Sequence, residues 1–134
     1  MLMLQDKELV AHLPETQLFS ENMLWQFVDK YKQVIVKPSR GSRGYGVIQL
    51  TSLGNDQYEI HAERTRKTIK GRKETYEYLL AYHIRKRKRY IVQQRIALAT
   101  INGCPIDLRV MVQRKRNSSE WVVTGKLVKV ANRG

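Results

Sequence analysis

The sequence predicts an α+β protein made of two small lobes with antiparallel sheets. One amphipathic stripe near the start predicts a helix, apolar stretches between turn signals predict strands in series, and a second helical stripe separates two groups of strands. A chain of 134 residues with 42% hydrophobic content can bury one core or two small lobes, but not two full domains. We expect a division into residues 1–89 and 90–134.

The first predicted helix follows Pro14, which biases the residue before it towards an extended conformation. Ser20 is a suitable N-cap, and Glu21 adds a carboxylate to the first turn. Apolar residues then recur at helical spacing: Leu24, Phe27, Val28 and Tyr31. The spacing predicts an amphipathic helix whose apolar stripe packs into the core.

Three strands and a second helix are expected next. Apolar stretches flank a glycine-rich loop between residues 34 and 50, which predicts a hairpin. Residues 54–56 predict a turn, and polar residues then alternate with Tyr58, Ile60 and Ala62, as in a half-buried strand. After a polar stretch, the second helix is predicted over residues 74–89. Its apolar face comprises Tyr76, Leu79, Leu80 and Ile84.

The last third of the sequence is strand-rich. Residues 90–94 and 107–113 are predicted strands, separated by a turn at 102–105. Residues 121–130 alternate well enough to form the return strand of a hairpin. The predicted order is therefore helix, three strands, helix, three strands.

The chain is strongly basic, and this limits its ligands. It has 25 Lys and Arg against 12 Asp and Glu, a formal net charge of +13, which favours anions such as nucleotide phosphates, nucleic acid or acidic peptides. Its one cysteine, Cys104, excludes an internal disulfide framework and a cysteine-rich zinc site. With neither a secretion signal nor eighteen consecutive apolar residues, a soluble cytoplasmic protein is expected, with no membrane partner.

The glycine-rich loop has the composition of a phosphate-binding cradle. In VIVKPSRGSRGYGVIQL, glycines allow backbone N–H groups to approach an anion, and Lys37 at the strand end supplies a point charge. The spacing excludes a P-loop and a dinucleotide-binding turn, because no Gly-Lys-Ser/Thr follows and the next element is a strand. A glycine-rich hairpin turn with solvated arginines is the structural alternative.

Several motifs in sequence order resemble the ATP-grasp superfamily, and within it the endospore coat-associated YheC/YheD-type branch. They are LPET at 13–16, VKPSRGSRGYGV at 36–47, IVQQRI at 91–96, PIDLRVMVQ at 105–113 and TGKLVKVANRG at 124–134. The resemblance implies an ATP-grasp-like α+β fold with a nucleotide cleft between two lobes. Residues 1–89 would be the N-terminal lobe, and residues 90–134 the hinge and the start of the C-terminal lobe.

The same resemblance assigns phosphate contacts to the first lobe. Lys37 matches the strand-end lysine that contacts ATP phosphates in the family. The flexible loop that closes over the β and γ phosphates is matched by Ser39, Arg40, Gly41, Ser42, Gly44 and Gly46. For Lys37 the alternative is an edge-strand lysine that extends its ammonium group into solvent.

Adenine recognition and catalysis are assigned further along the chain. The inter-lobe hinge that pairs with adenine is matched by Gln93, Gln94, Arg95 and Ile96. Ile96 and Ile91 would enclose the base. Ordinary strand core is the alternative for both, and the sequence favours that alternative for Ile91.

Arg109 matches a catalytic arginine aimed at the reacting phosphate, with Asp107 nearby to orient it. The alternative is a surface ion pair across a sheet. Lys126 and Lys129 are expected to share one face beyond Arg109. Lys129 matches a basic position before the family's substrate loop, and Lys126 is assigned to cofactor binding.

The resemblance implies an ATP-binding portion of a carboxylate–amine or carboxylate–thiol ligase-like protein associated with the spore coat, with unidentified carboxylate and amine substrates. The family holds Mg²⁺ with an Asp and a Glu-x-Asn cluster. After Glu77 the only acids are Asp107 and Glu120, which do not match. Mg²⁺ is therefore expected in a complete protein whose metal ligands lie outside this chain, and catalysis by this chain alone is not expected.

Two other functions remain open from sequence. Residues 64–89 contain eleven Lys or Arg and two Glu, a net charge of +9, which would attract nucleic acid. A solvated basic helix end is the simpler explanation of that segment. A structural coat protein that retains the fold without chemistry is the other alternative.

Overall fold

A computed structural model describes residues 7–41 and 44–131 of the chain. These residues form a mixed α+β structure with two antiparallel sheets, which confirms the predicted fold class at that level. The chain divides into two units, residues 1–95 and 96–134. Within the described residues, no helix is both long and apolar enough to span a membrane.

The first unit contains a six-stranded sheet and three helices. In chain order its elements are α1 (Lys7–Val10), β1 (Thr16–Leu18), α2 (Glu21–Tyr31), β2 (Gln33–Pro38), β3 (Ile48–Gly54), β4 (Gln57–Ala62), β5 (Thr65–Lys70), α3 (Arg72–Tyr82) and β6 (Tyr90–Gln94). The strand order is β1-β6-β2-β3-β4-β5, and every neighbouring pair is antiparallel. Sequence assigned β6 to the hinge and second lobe, whereas in the structure it pairs inside the first sheet.

Helix α2 begins and packs as its sequence predicts. The Ser20 Oγ accepts a hydrogen bond from the Met23 backbone N–H at 3.2 Å, so one otherwise unpaired N–H of the first turn is satisfied. Leu24, Phe27 and Val28 are buried. The helix ends at Tyr31, and its C-cap residue Lys32 has positive φ (62°), which turns the chain directly into β2.

The hydrophobic core lies between the helices and one face of the sheet. Alternate residues of β2, β3 and β4 enter it, because successive side chains of a strand point to opposite faces. The buried apolar residues are Leu24, Trp25, Phe27, Val28, Val34, Val36, Ile48, Leu50, Tyr58, Ile60, Ala62, Leu79, Tyr90 and Val92. The predicted alternation of β4 and the turn before it are confirmed, with Asn55 and Asp56 both at positive φ.

Helix α3, the second helix that the sequence predicts, ends earlier than predicted. It ends at Tyr82, and the following basic residues form a turn in which the Lys88 N–H donates to the Arg85 carbonyl at 2.9 Å. In a continued helix Arg85 and Arg89 would lie at i,i+4 spacing, where like charges repel, and this disfavours continuing the helix. Of the predicted apolar face, Leu79 is buried, but Leu80 is 43% exposed and Ile84 lies beyond the helix end.

Strand β5 was not predicted, and its sequence explains the omission. Its residues, TRKTIK, are mostly exposed and charged, as is common for an edge strand that must avoid pairing with other chains. The short elements α1, β1 and β7 were missed as well, because a few residues give too little periodicity.

The second unit contains a three-stranded sheet of order β7-β8-β9. Its strands are β7 (Thr100–Ile101), β8 (Cys104–Arg114) and β9 (Trp121–Val130). The predicted hairpin is confirmed, although β8 begins earlier than expected, directly after a turn in which Asn102 and Gly103 have positive φ. Strands β8 and β9 form a long ribbon whose apolar side chains are largely exposed.

Candidate phosphate-binding site

Lys37 lies on the sheet face opposite the helices. Directly paired residues of neighbouring strands share a face, and Lys37 pairs with Ile91 while Ile35 pairs with Gln93. All four side chains therefore lie on the face away from the core, which we call the open face. The lysine that sequence assigned to phosphate binding is thus partly exposed at the end of β2.

A chain of hydrogen bonds holds the Lys37 ammonium group in place. Its Nζ donates to Gln93 Oε1 at 2.7 Å, and Gln93 Nε2 donates to Thr16 Oγ1 at 2.7 Å. The Thr16 hydroxyl in turn donates to the Pro14 carbonyl at 2.9 Å. Since an ammonium group has three N–H donors and the described residues accept one of them, two remain for an anion.

The resemblance implied that Gln93 contacts adenine, whereas in the structure its side chain contacts Lys37 and Thr16. Its side-chain amide is engaged at both ends, so it orients Lys37. Thr16, which anchors the amide, was not among the predicted site residues. The LPET motif was the available signal, since it contains both Pro14 and Thr16.

The described glycine loop meets Lys37 at a cavity of about 300 Å³. Its lining residues are Lys37, Pro38, Ser39, Gly41, Gly44, Tyr45 and Val47. Three of the predicted phosphate-binding residues therefore line one cavity with Lys37: Ser39, Gly41 and Gly44. Ser42 lies outside the described residues.

Glycine is required at Gly46 by the local geometry. Its φ is +72°, and an added Cβ would lie 3.3 Å from Pro38 Cγ. Gly44 also has positive φ, at +75°, whereas Gly41 does not and has open space around it. The glycine pattern therefore serves the turn itself as well as any anion beside it.

Arg40 belongs to a second, larger cavity of about 700 Å³ in the same unit. Its lining residues are Leu18, Ser39, Arg40, Arg87, Lys88, Arg89 and Ile91. The Ser39 N–H donates to the Arg89 carbonyl at 2.8 Å, so the start of the glycine loop is joined to the basic turn before β6. Ile91 lines this cavity and is only partly buried, whereas the sequence favoured ordinary strand core for it.

The remaining hinge residues do not converge on Lys37. Gln94 pairs with Val34, on the core side of the sheet, and its N–H donates to the Glu15 carbonyl at 2.9 Å. Arg95 donates from Nε to Gln49 Oε1 and from Nη1 to Gln33 Oε1, each at 3.1 Å. Ile96 is 51% exposed and begins the second unit.

Arg109 and Asp107 form an ion pair on β8 of the second unit. Arg109 Nε lies 3.1 Å from Asp107 Oδ2, and both side chains are more than half exposed. The β8–β9 register places Lys129 opposite Asp107 on this face, whereas Lys126 lies opposite Val110 on the other face. Lys126 therefore does not share a face with Arg109, and the two lysines do not share one face.

The described residues do not fit a magnesium ion. Within residues 7–41 and 44–131, no three His, Cys, Asp or Glu side chains lie close enough together to hold a metal ion. Asp107, which is paired with Arg109, is a single carboxylate, whereas Mg²⁺ prefers several oxygen ligands.

Comparison with known proteins gives two matches. A protein family described as YheC/D like ATP-grasp matches residues 1–134. Endospore coat-associated protein YheD of Bacillus subtilis (strain 168) is 25% identical over 135 residues. That alignment covers 98% of this chain and 30% of YheD, so the chain spans less than a third of the relative's length. No solved structure matches the chain.

Proposed function

Since the chain belongs to the YheC/D-like ATP-grasp family, we propose that it is the ATP-binding portion of a carboxylate–amine or carboxylate–thiol ligase-like protein. One observation carries the proposal: the oriented Lys37 ammonium group borders the same cavity as the described glycine loop. A fixed cation beside a turn of backbone N–H groups suits the oxygens of a triphosphate.

The residues of this chain would bind and orient ATP electrostatically. ATP, when bound, supplies the phosphoryl group that activates a carboxylate for attack by an amine or thiol. Lys37 would neutralise phosphate charge with its two remaining N–H donors, and its fixed position lowers the reorganisation needed when charge develops. Ser39 and the loop backbone would add neutral donors.

Arg109 is proposed as the second cation of the reaction, with Asp107 setting the orientation of its guanidinium group. Lys129 on the same face is a better candidate for an additional cation than Lys126. Association of the longer protein with the spore coat is proposed from YheD, which is named as coat-associated.

Isothermal titration with ATP tests the proposal, with and without Mg²⁺, on the folded chain and on a longer protein that includes its flanks. Lys37→Ala should weaken ATP binding by about 10- to 100-fold, as expected for a lost charged hydrogen bond. Lys70→Ala is the matched control, because Lys70 is an exposed lysine on edge strand β5, at the far side of the sheet. Folded protein that binds no ATP in any of these forms would contradict the proposal and favour a structural coat protein.

A second variant separates orientation from charge. Thr16→Val removes the acceptor of the Gln93 amide and leaves the Lys37 charge in place. ATP affinity should fall by only a few fold, since the ammonium group loses its fixed position but not its attraction. An effect as large as that of Lys37→Ala would show that Thr16 acts in some other way.

A further inference from the structure

The basic turn at residues 85–89 is an unusual concentration of charge for a connection between a helix and a strand. It contains Arg85, Lys86, Arg87, Lys88 and Arg89, and all five are exposed. Among the ion pairs of the described residues, none involves these five side chains. Their charges are therefore available to a ligand.

The turn is held in one conformation by hydrogen bonds at both ends. The buried Tyr90 hydroxyl donates to the His83 carbonyl at 3.2 Å and accepts from the Arg85 N–H at 3.3 Å. The Arg89 carbonyl accepts from the Ser39 N–H at 2.8 Å. An anchored backbone reduces the conformational entropy lost when the side chains bind a polyanion.

Exposed aromatic rings stand beside these cations. Tyr45 and Tyr82 are 70% and 72% exposed. Both line a cavity of about 320 Å³ with Arg85 and Lys88. Tyr82 also packs against Tyr78, with ring centroids 4.6 Å apart, so one side of its ring is supported.

The same cavity contains one carboxylate and one histidine. Glu63 lines it, which offsets part of the positive charge, and His83 lines it beside the basic turn. Burial lowers the pKa of His83, an effect that Glu63 partly opposes, so His83 adds little positive charge near neutral pH. The attraction therefore comes from the Arg and Lys side chains.

We propose that the basic turn, with Arg40, Tyr45 and Tyr82, is a binding surface for single-stranded nucleic acid. A row of cations tracks the phosphate backbone of a single strand, and exposed aromatic rings stack on its bases. A duplex would require an element that enters a groove, and the structure has a turn where sequence predicted a basic helix. An acidic polypeptide would use the cations without the rings.

Fluorescence anisotropy with a labelled oligouridylate of about ten nucleotides tests this surface on the full chain. Affinity should fall steeply with salt, with a log–log slope of about −3.5 if five phosphates are neutralised. Reversing Arg85, Arg87 and Arg89 to Glu should reduce affinity at low salt by about 100-fold or more and flatten the slope. Reversing Arg64, Lys70 and Lys73 is the control of equal charge, and it should change the slope far less.

Substitution of Tyr82 tests base stacking separately from charge. Tyr82→Ala should weaken oligouridylate binding by about tenfold, whereas Tyr82→Phe should retain it, because stacking requires the ring and not the hydroxyl. Circular dichroism establishes that each variant is folded. Crosslinking of a photoreactive oligouridylate followed by peptide mapping gives an independent measurement on the unmodified protein, and crosslinks at residues 82–89 are expected.

Three results would overturn the proposal. Polyglutamate that binds as tightly, with no effect of Tyr82→Ala, would identify an acidic polypeptide site. Tighter binding of duplex than of single strands would exclude a single-strand surface. A third result would be that ATP displaces the oligonucleotide completely, in proportion to the ATP bound, and that Lys37→Ala loses binding of both ATP and oligonucleotide. The cations would then belong to the triphosphate site.

Discussion

The two units of the chain differ in how they bury apolar side chains. In the first unit, two helices cover one face of the sheet, and every buried apolar residue of the described chain lies there. In the second unit, the β8–β9 ribbon exposes side chains on both of its faces, among them Leu108, Trp121 and Leu127 at 57–63%. The third strand of this sheet, β7, has only two residues, and a ribbon with so little buried apolar surface is marginally stable in water. We therefore expect the first unit to supply most of the stability that urea unfolding of this chain measures.

The largest expected effect contrasts a core leucine with a ribbon leucine. Leu24→Ala leaves a cavity beneath the sheet and should lower the free energy of unfolding by about 2–5 kcal/mol. Leu108→Ala, at 60% exposure, should change it by less than about 0.5 kcal/mol. Urea titration followed by tryptophan fluorescence and circular dichroism measures both, and equal losses would mean that the ribbon is covered in solution.

Glycine substitutions sharpen the contrast at the level of the backbone. Gly46→Ala forces positive φ on alanine and brings its Cβ against Pro38, which should cost about 1–2 kcal/mol in the unfolding of the first unit. Gly103→Ala has similar strain, at φ +76°, but no atom within 4 Å, and it lies in the second unit. If the two units unfold separately, Gly103→Ala should leave the main unfolding transition, that of the first unit, unchanged.

Removing an ion pair should lower the free energy of unfolding by less than these core and glycine changes, and by different amounts in the two units. Arg72 joins both helices and the sheet: it pairs with Asp29 at 2.5 Å, donates to the Tyr58 hydroxyl and lies over the Trp25 ring. Arg72→Met should therefore cost about 1 kcal/mol, allowing for its solvent exposure. Arg109→Met removes a pair within one exposed strand and should cost less than about 0.5 kcal/mol. Equal costs in urea unfolding would contradict this difference.

The smallest effect is a pH dependence confined to the first unit, which contains all three histidines. Burial lowers the pKa of His83 below its ordinary 6.5, so the unfolded chain takes up this proton first as pH falls. Stability should decrease as pH falls from 6.5 through the folded pKa of His83. Melting temperatures between about pH 7.5 and 5.5 should show a shallower slope for His83→Gln, and an unchanged slope would exclude His83 as the cause.

Sequence predicted the elements whose evidence is local. The Ser20 cap, the stripe of α2 and the alternation of β4 each depend on neighbouring residues, and all three are present. The family resemblance carried by the ordered motifs was also confirmed. Sequence missed β5 because an exposed edge strand has no apolar alternation.

The contacts between residues of the candidate site could not be predicted from the sequence. Lys37 and Gln93 are 56 residues apart, and Gln93 and Thr16 are 77 apart. Such pairs depend on the order and register of three strands, which no local pattern encodes. The opposite faces of Lys126 and Arg109 follow from register in the same way.

Arg95 has a mechanical consequence for the way the two units are joined. Its side chain is attached to Gln33 and Gln49, and its backbone N–H donates to the Gln33 carbonyl, so the last residue of the first unit is fixed to the middle of its sheet. The second unit makes its first backbone hydrogen bond at the Ala99 carbonyl. Among the described residues, 96–98 take part in no backbone hydrogen bond between these two points, so a single proline there would restrict φ without removing such a bond.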